Sequence, residues 1–85
     1  MIKYRIKIIS KAGKDMNSIT GRDFDALKKK IISLSENPRP FGCQKLTNEE
    51  GYRTRAGDFR ILYRINDTLK EIIIYRIKHR REAYR

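Results

Sequence analysis

Hydrophobic positions along this chain change their period once, near residue 40. Upstream, Ile2, Tyr4, Ile6 and Ile8 alternate with Lys3, Arg5 and Lys7, the pattern of an amphipathic strand. Ala12, Met16 and Ile19 then recur at helical spacing, and Phe24, Leu27, Ile31 and Leu34 continue a 3.6-residue period. Two helices are predicted, with Gly21 between them and Thr20 followed by Asp23 as a loose capping box for the second. Asn37-Pro38-Arg39-Pro40 ends that helix, because proline has no amide hydrogen to donate and drives the residue before it away from helical angles.

Downstream the period is two. Short strands are predicted at 44–46 and 52–55, then a stronger pair at 59–65 and 71–78, joined by a turn at Asn66-Asp67-Thr68 and antiparallel because the connection is short. In the first of that pair Arg60, Leu62 and Arg64 point one way while Phe59, Ile61, Tyr63 and Ile65 point the other. Tyr63 and Tyr75 fall on apolar faces and are assigned to the core. No repeat, low-complexity tract or long linker divides the chain. The prediction is one small α+β domain over 1–85: an N-terminal strand, two helices, then an antiparallel β-meander packed on them.

Charge sharpens this picture. Lysine plus arginine number 21 against 10 acidic residues, a formal +11 on 85 residues, well beyond what solubility alone favours. A polyanion is the natural partner. The longest apolar run, Ile72-Ile73-Ile74-Tyr75, is too short to span a bilayer, and Met1-Ile2-Lys3-Tyr4-Arg5 is not a signal peptide, so a cytoplasmic protein is expected. Cys43 is a single cysteine without partners at metal-ligand spacing, so neither a disulfide nor a zinc site is expected, and no cofactor. A domain of this size buries roughly 60% of its unfolded surface, so a bound partner would add to its stability.

The cations concentrate where the strands are. Arg53 and Arg55 share a face of one predicted strand, Arg60 lies on the next, and Arg76, Lys78 and Arg80 share a face on the last. All six could converge on one groove, with Lys45 and Arg81 extending it as RNA contacts; the alternative is a solvated outer face. Arginine outnumbers lysine in this half, and its planar fork suits bidentate phosphate recognition. If the groove does chemistry, RNA is the substrate to expect, since its 2′-hydroxyl is a built-in nucleophile and attack on phosphorus then needs only charge stabilisation and proton transfer. Arginine is a poor proton acceptor. The candidates left for that task are His79, the one histidine; Tyr84, among Arg80, Arg81 and Arg85, which could instead stack on a base; and Tyr52. His79 as a structural hydrogen-bonder and Tyr84 as a core residue remain open. There is no glycine-rich phosphate loop, no serine or cysteine nucleophile with a base, and no carboxylate cluster. Lys28-Lys29-Lys30 reads as the solvated side of the second helix.

Three segments carry a family resemblance: Asn37-Pro38-Arg39-Pro40; Tyr52-Arg53-Thr54-Arg55-Ala56-Gly57-Asp58-Phe59-Arg60-Ile61-Leu62-Tyr63; and His79-Arg80-Arg81-Glu82-Ala83-Tyr84. In order and spacing they resemble the RelE branch of the RelE/ParE toxin superfamily. The resemblance implies a ribosome-dependent endoribonuclease that cuts mRNA in the decoding site and is held inactive by an acidic, RelB-like antitoxin. It matches Arg60 and Arg80 to phosphate-stabilising arginines and Tyr84 to a C-terminal tyrosine. Arg53 and Arg55 fall where the best-studied branch has lysines, so a lysine-as-base mechanism does not carry over. Two other readings are a ParE-like inhibitor of DNA gyrase, which shares the fold, and a degenerate RNA-binding module.

Overall fold

A computed structural model describes residues 3–47 and 50–83. The elements run β1 (Arg5–Ile8), α1 (Ser10–Asn17), α2 (Gly21–Glu36), β2 (Gln44–Lys45), β3 (Tyr52–Ala56), β4 (Phe59–Asn66), β5 (Glu71–His79) and α3 (Arg80–Ala83). The strands form one sheet in the order β1-β5-β4-β3-β2. The β2–β5 meander is antiparallel, and β1 returns to lie parallel to β5, with Ile6 opposite Ile72. The α+β architecture therefore stands as read from the sequence, with β5 in the interior of the sheet, where Ile72 and Ile74 are fully buried.

One face of the sheet is covered. Leu27, Ile31 and Leu34 of α2 and Ala12 of α1 meet Ile61, Tyr63, Ile72, Ile74 and Ile77, with Tyr52, Phe59 and Ile65 packed at the margin. Several boundaries differ from expectation for local reasons. β1 begins at Arg5; Ile2 lies outside the described residues, and Tyr4 instead donates its amide to the Ser35 carbonyl at the end of α2, 2.8 Å away. The capping box does not form. Thr20 occupies the N-cap with extended backbone, but its side chain makes no capping bond, and Gly21 opens the helix at a φ of +64° that only glycine adopts freely.

Tyr75 is not in the core. The β4–β5 register passes from Leu62 opposite Arg76 to Tyr63 opposite Ile74, so Tyr75 is the extra residue of a β-bulge. It is half-buried, with the Arg64 guanidinium 5.1 Å above its ring. Gly51, at φ +133°, passes close by: a Cβ there would lie 2.9 Å from the Tyr63 carbonyl oxygen and 3.1 Å from the Tyr75 hydroxyl. The last strand runs one residue beyond the predicted 71–78, to His79, and does not include Arg80. At Arg80 the chain turns into α3, with the Arg80 amide donating to the Asp58 carbonyl at 2.8 Å and the Arg81 amide to His79 Nδ1 at 3.2 Å. Arg80 accordingly does not share a strand face with Arg76 and Lys78.

The segment after α2 is pinned to the sheet. Tyr63, fully buried, donates its hydroxyl to the Pro38 carbonyl at 2.7 Å, and burial pushes its phenol pKa up. Arg39 forms a bidentate pair with Asp67 in the β4–β5 turn, at 2.9 and 3.3 Å, and lies 5.3 Å over the Tyr52 ring. Asp67 also accepts the Tyr4 hydroxyl at 2.6 Å. The Arg39 guanidinium, and next the Tyr4 hydrogen bond, hold the Asp67 carboxyl at about 2. That lies below the ordinary aspartate value near 3.9, so the folded state binds this proton more weakly than the unfolded state does. Its contribution is complete above about pH 4 and is lost as pH falls through about 2. Asp67→Asn should lower Tm at pH 7, with the gap to the parent protein narrowing steadily as pH approaches 2; a gap that is constant with pH would show that the charge is irrelevant.

Candidate functional site

The two-residue turn Gly57-Asp58 joins β3 to β4, with Gly57 at φ +62°, and a turn this tight fixes the register of the strands it connects. The result is a row of cations across three strands: Arg55 opposite Arg60, and Arg60 opposite Lys78. The next row holds Gln44, Arg53, Leu62 and Arg76. Both rows lie on the sheet face away from α2, because Ile61 and Tyr63 of the same strand are in the core. Like charges directly opposite one another on a sheet are destabilising, so this row works against the fold locally.

At its centre is a cavity of about 270 Å³ lined by Gly42, Gln44, Arg53, Thr54, Arg55 and Arg60. No carboxylate is among these described lining residues. Arg60 is only 7% exposed. Arg53 donates from Nε to Gln44 Oε1 at 2.9 Å and from Nη2 to the same oxygen, an orienting contact that leaves its charge intact. A concave site with three guanidinium groups and a neutral amide is suited to a phosphate or another oxyanion, which the forks can meet bidentately.

The remaining candidates are dispersed. Arg76 is turned to the sheet edge, where Asp15 of α1 accepts its Nε at 2.9 Å and its Nη2 at 3.4 Å, along with the Ile77 amide at 2.9 Å. Asp15 thereby serves the β5 edge beyond the reach of β1, and spends its charge on Arg76. His79 stands opposite Phe59, on the other face from Arg60 and Lys78, with its ring edge-on to Phe59 at 5.2 Å. Since Nδ1 accepts the Arg81 amide, a neutral His79 carries its proton on Nε2. Tyr52 also faces the helix side, stacked on Tyr63 at 5.9 Å, with its hydroxyl accepting Arg39 Nε at 3.3 Å. Lys45, opposite Tyr52, lies at the exposed edge of β2 away from Arg53. Arg80 and Arg81 are exposed on α3. Tyr84 and Arg85 lie outside the described residues. Neither His79 nor Tyr52 shares the cavity, so among its described lining residues none is an effective proton acceptor at neutral pH. The sequence reading did not single out Gly42, Gln44 or Thr54; for Gln44 the signal available was its place on a short strand paired to Arg53.

Among the described residues no three or more His, Cys, Asp or Glu side chains come together as a metal site, and no helix is long and apolar enough to cross a membrane.

Residues 6–84 match the family described as ParE toxin of type II toxin-antitoxin system, parDE. The chain is 31% identical over 88 residues to the RelE1 toxin candidate of Methanocaldococcus jannaschii, covering 99% of this chain and 98% of that one. Its fold is similar to the archaeal RelE–RelB complex of Pyrococcus horikoshii, with TM-score 0.80, 30% identity and coverage of 92% and 96%. It is also similar to the toxin–antitoxin complex RelBE2 of Mycobacterium tuberculosis, with TM-score 0.83, 27% identity and 93% of each chain covered.

If the cavity is an oxyanion site, sulfate should raise Tm more than chloride at equal ionic strength, by mass action on the folded state. Arg55→Gln should remove most of that difference, and Arg64→Gln, outside the cavity, should keep it. Equal losses in both variants would mean sulfate binds through bulk cationic charge, and no loss in either that it acts only through general exclusion from the surface.

Proposed function

The chain belongs to the RelE/ParE superfamily of type II toxin–antitoxin toxins, and from that membership we propose that it is a ribosome-dependent endoribonuclease that cuts mRNA in the decoding site. The observation that supports this reading is the cavity lined by Arg53, Arg55 and Arg60 without a carboxylate among its described lining residues. In the reaction, the 2′-oxygen of RNA attacks the adjacent phosphorus and loses its proton. The bond to the 5′-oxygen breaks, leaving a 2′,3′-cyclic phosphate and a protonated 5′-hydroxyl. Negative charge grows on the non-bridging oxygens as the fifth bond forms. Arg60, held in the floor of the cavity, is the group that meets it, with Arg55 and Arg53 on its flank; Arg80, exposed on α3, is added by the resemblance alone.

Proton transfer is where this site departs from a lysine-based one. Guanidinium groups do not release protons at neutral pH, so Arg53 and Arg55 act in binding and charge stabilisation. Tyr84, the C-terminal tyrosine of the resemblance, is our candidate for the proton or for stacking on a base. A site with strong electrostatics and few proton acceptors depends on being given substrate in a near-attack geometry, which the ribosome supplies. The toxin would act in the cytoplasm and be silenced by an acidic RelB-like antitoxin covering the cationic face. The family match to ParE toxins keeps a second reading in view, inhibition of DNA gyrase by binding.

On translating ribosomes the protein should cleave mRNA while leaving naked RNA nearly intact, and Arg60→Ala or Arg80→Ala should slow single-turnover cleavage by at least about 10²-fold. Arg64→Ala should stay close to the parent. Equal cutting of naked RNA, comparable losses at Arg64, or inhibited supercoiling by gyrase without RNA cleavage would each overturn this reading. The association rate with the antitoxin should fall steeply between about 50 and 500 mM salt, as the Debye length shrinks several-fold. A salt-independent rate would exclude capture by charge.

A further inference from the structure

Among the described residues five large hydrophobic side chains are exposed, and Phe41 stands apart from the others: its ring is fully open to solvent. A single exposed aromatic is ordinary on a protein surface. Three features make this one different. Its neighbour Gly42 lines the arginine cavity, so the ring projects from a residue at the rim of the site. The backbone that carries it is fixed at both ends. Before it, Tyr63 holds the Pro38 carbonyl and Arg39 is clamped by Asp67. After it, the Cys43 amide donates to the Pro40 carbonyl at 3.0 Å, closing a tight turn in which Gly42 takes a φ of +90°. The ring is therefore presented at the apex of an anchored loop. Finally, the cavity that its neighbour lines holds Arg53, Arg55 and Arg60, which suits a nucleic acid strand more than an apolar protein partner.

We infer that Phe41 is a stacking platform for an RNA base whose neighbouring phosphate sits in the Arg53–Arg55–Arg60 cavity. The inference rests on the proposed RNA-cleaving function and adds a residue that positions the strand. Single-stranded RNA is gripped by this combination elsewhere in chemistry: cations track the backbone while an aromatic face takes a base of any identity. Pre-ordering of the loop keeps the entropy cost of ordering the ring low on binding. Phe41 would thus set which nucleotide is placed next to the reactive phosphate, while the arginines act on the phosphate itself.

The chain contains no tryptophan, so Phe41→Trp supplies a single indole at the platform, excited selectively over the five tyrosines. Its emission should be quenched by a short single-stranded RNA and left nearly unchanged by the same sugar-phosphate chain without bases. Equal responses to the two, or none to either, would overturn the inference. In ribosome-dependent cleavage, Phe41→Leu keeps an apolar side chain but no ring, and should raise the half-saturating concentration of programmed ribosomes at least about fivefold, the low end for loss of one stacked base. Phe41→Tyr should restore it. If Phe41→Leu matches the parent where Arg60→Ala is inactive, the platform is wrong and the nuclease reading survives. If the parent protein cleaves no mRNA on ribosomes while Phe41→Trp is quenched, the nuclease reading fails and the platform stands. A Phe41→Leu protein that loses only antitoxin affinity would assign the ring to a protein contact and overturn the inference.

Discussion

Tyr63 joins the two halves of this molecule. Its ring is buried in the core beneath α2 and stacked on Tyr52, and its hydroxyl reaches the Pro38 carbonyl. A buried phenol without an acceptor would cost about 1–3 kcal/mol, so the Pro38 bond is a condition for placing tyrosine there at all. That bond also decides where the chain goes after α2. With Pro38 fixed, Arg39 meets Asp67 and Tyr52, and the turn through Gly42 is delivered to the sheet face that carries the arginines. A residue of the core thereby determines the shape of the cavity rim.

The same fold sorts charge by location. Several cations have carboxylate partners: Arg5 and Lys7 share Glu71 at 3.1 Å each, Arg39 takes Asp67, and Arg76 takes Asp15. These pairs lie along the sheet edge and the turns. Asp15, Asp67 and Glu71 are thus committed away from the central face, and Asp23 and Asp25 sit on α2. Arg55 and Arg60 share the cavity with a third guanidinium, Arg53, and with no carboxylate among its described lining residues. Coulomb repulsion within such a row falls when an anion binds, so part of the strain imposed by folding returns as affinity.

The elements were legible because period and burial agree. Leu27, Ile31 and Leu34 face the core as a 3.6-residue repeat requires, and Ile61 and Tyr63 as a two-residue repeat requires. Legibility failed where one residue breaks the period. The bulge at Tyr75 shifts the parity of β5, so counting from Ile74 alone places the following residues on the wrong face. The alternation of cations through Arg80 gave no sign that α3 would begin there, since that depends on the contacts of His79 and Asp58. Parity did place Arg53, Arg55 and Arg60 together, with the short Gly57-Asp58 turn setting their register. The same parity sets Tyr52 and His79 on the face opposite Arg53 and Lys78, which a choice made by residue type alone overlooks. The pairing of Arg76 with Asp15 spans 61 positions in sequence and has no local signature.

Arginine at 53 and 55, where the resemblance sets lysine, alters the proposed division of labour at this site. A lysine crowded by cations can give up its proton and serve as a base, but its ammonium offers phosphate only a point charge. A guanidinium does the reverse: it stays charged at every physiological pH and offers a planar fork of donors. A site built on Arg53, Arg55 and Arg60 is consequently strong in orienting a phosphate and weak in moving a proton. Such a site gains most from a substrate already held in line for attack, where proximity alone is worth several orders of magnitude. The proposed dependence on a large external scaffold would then follow from the choice of arginine at these positions.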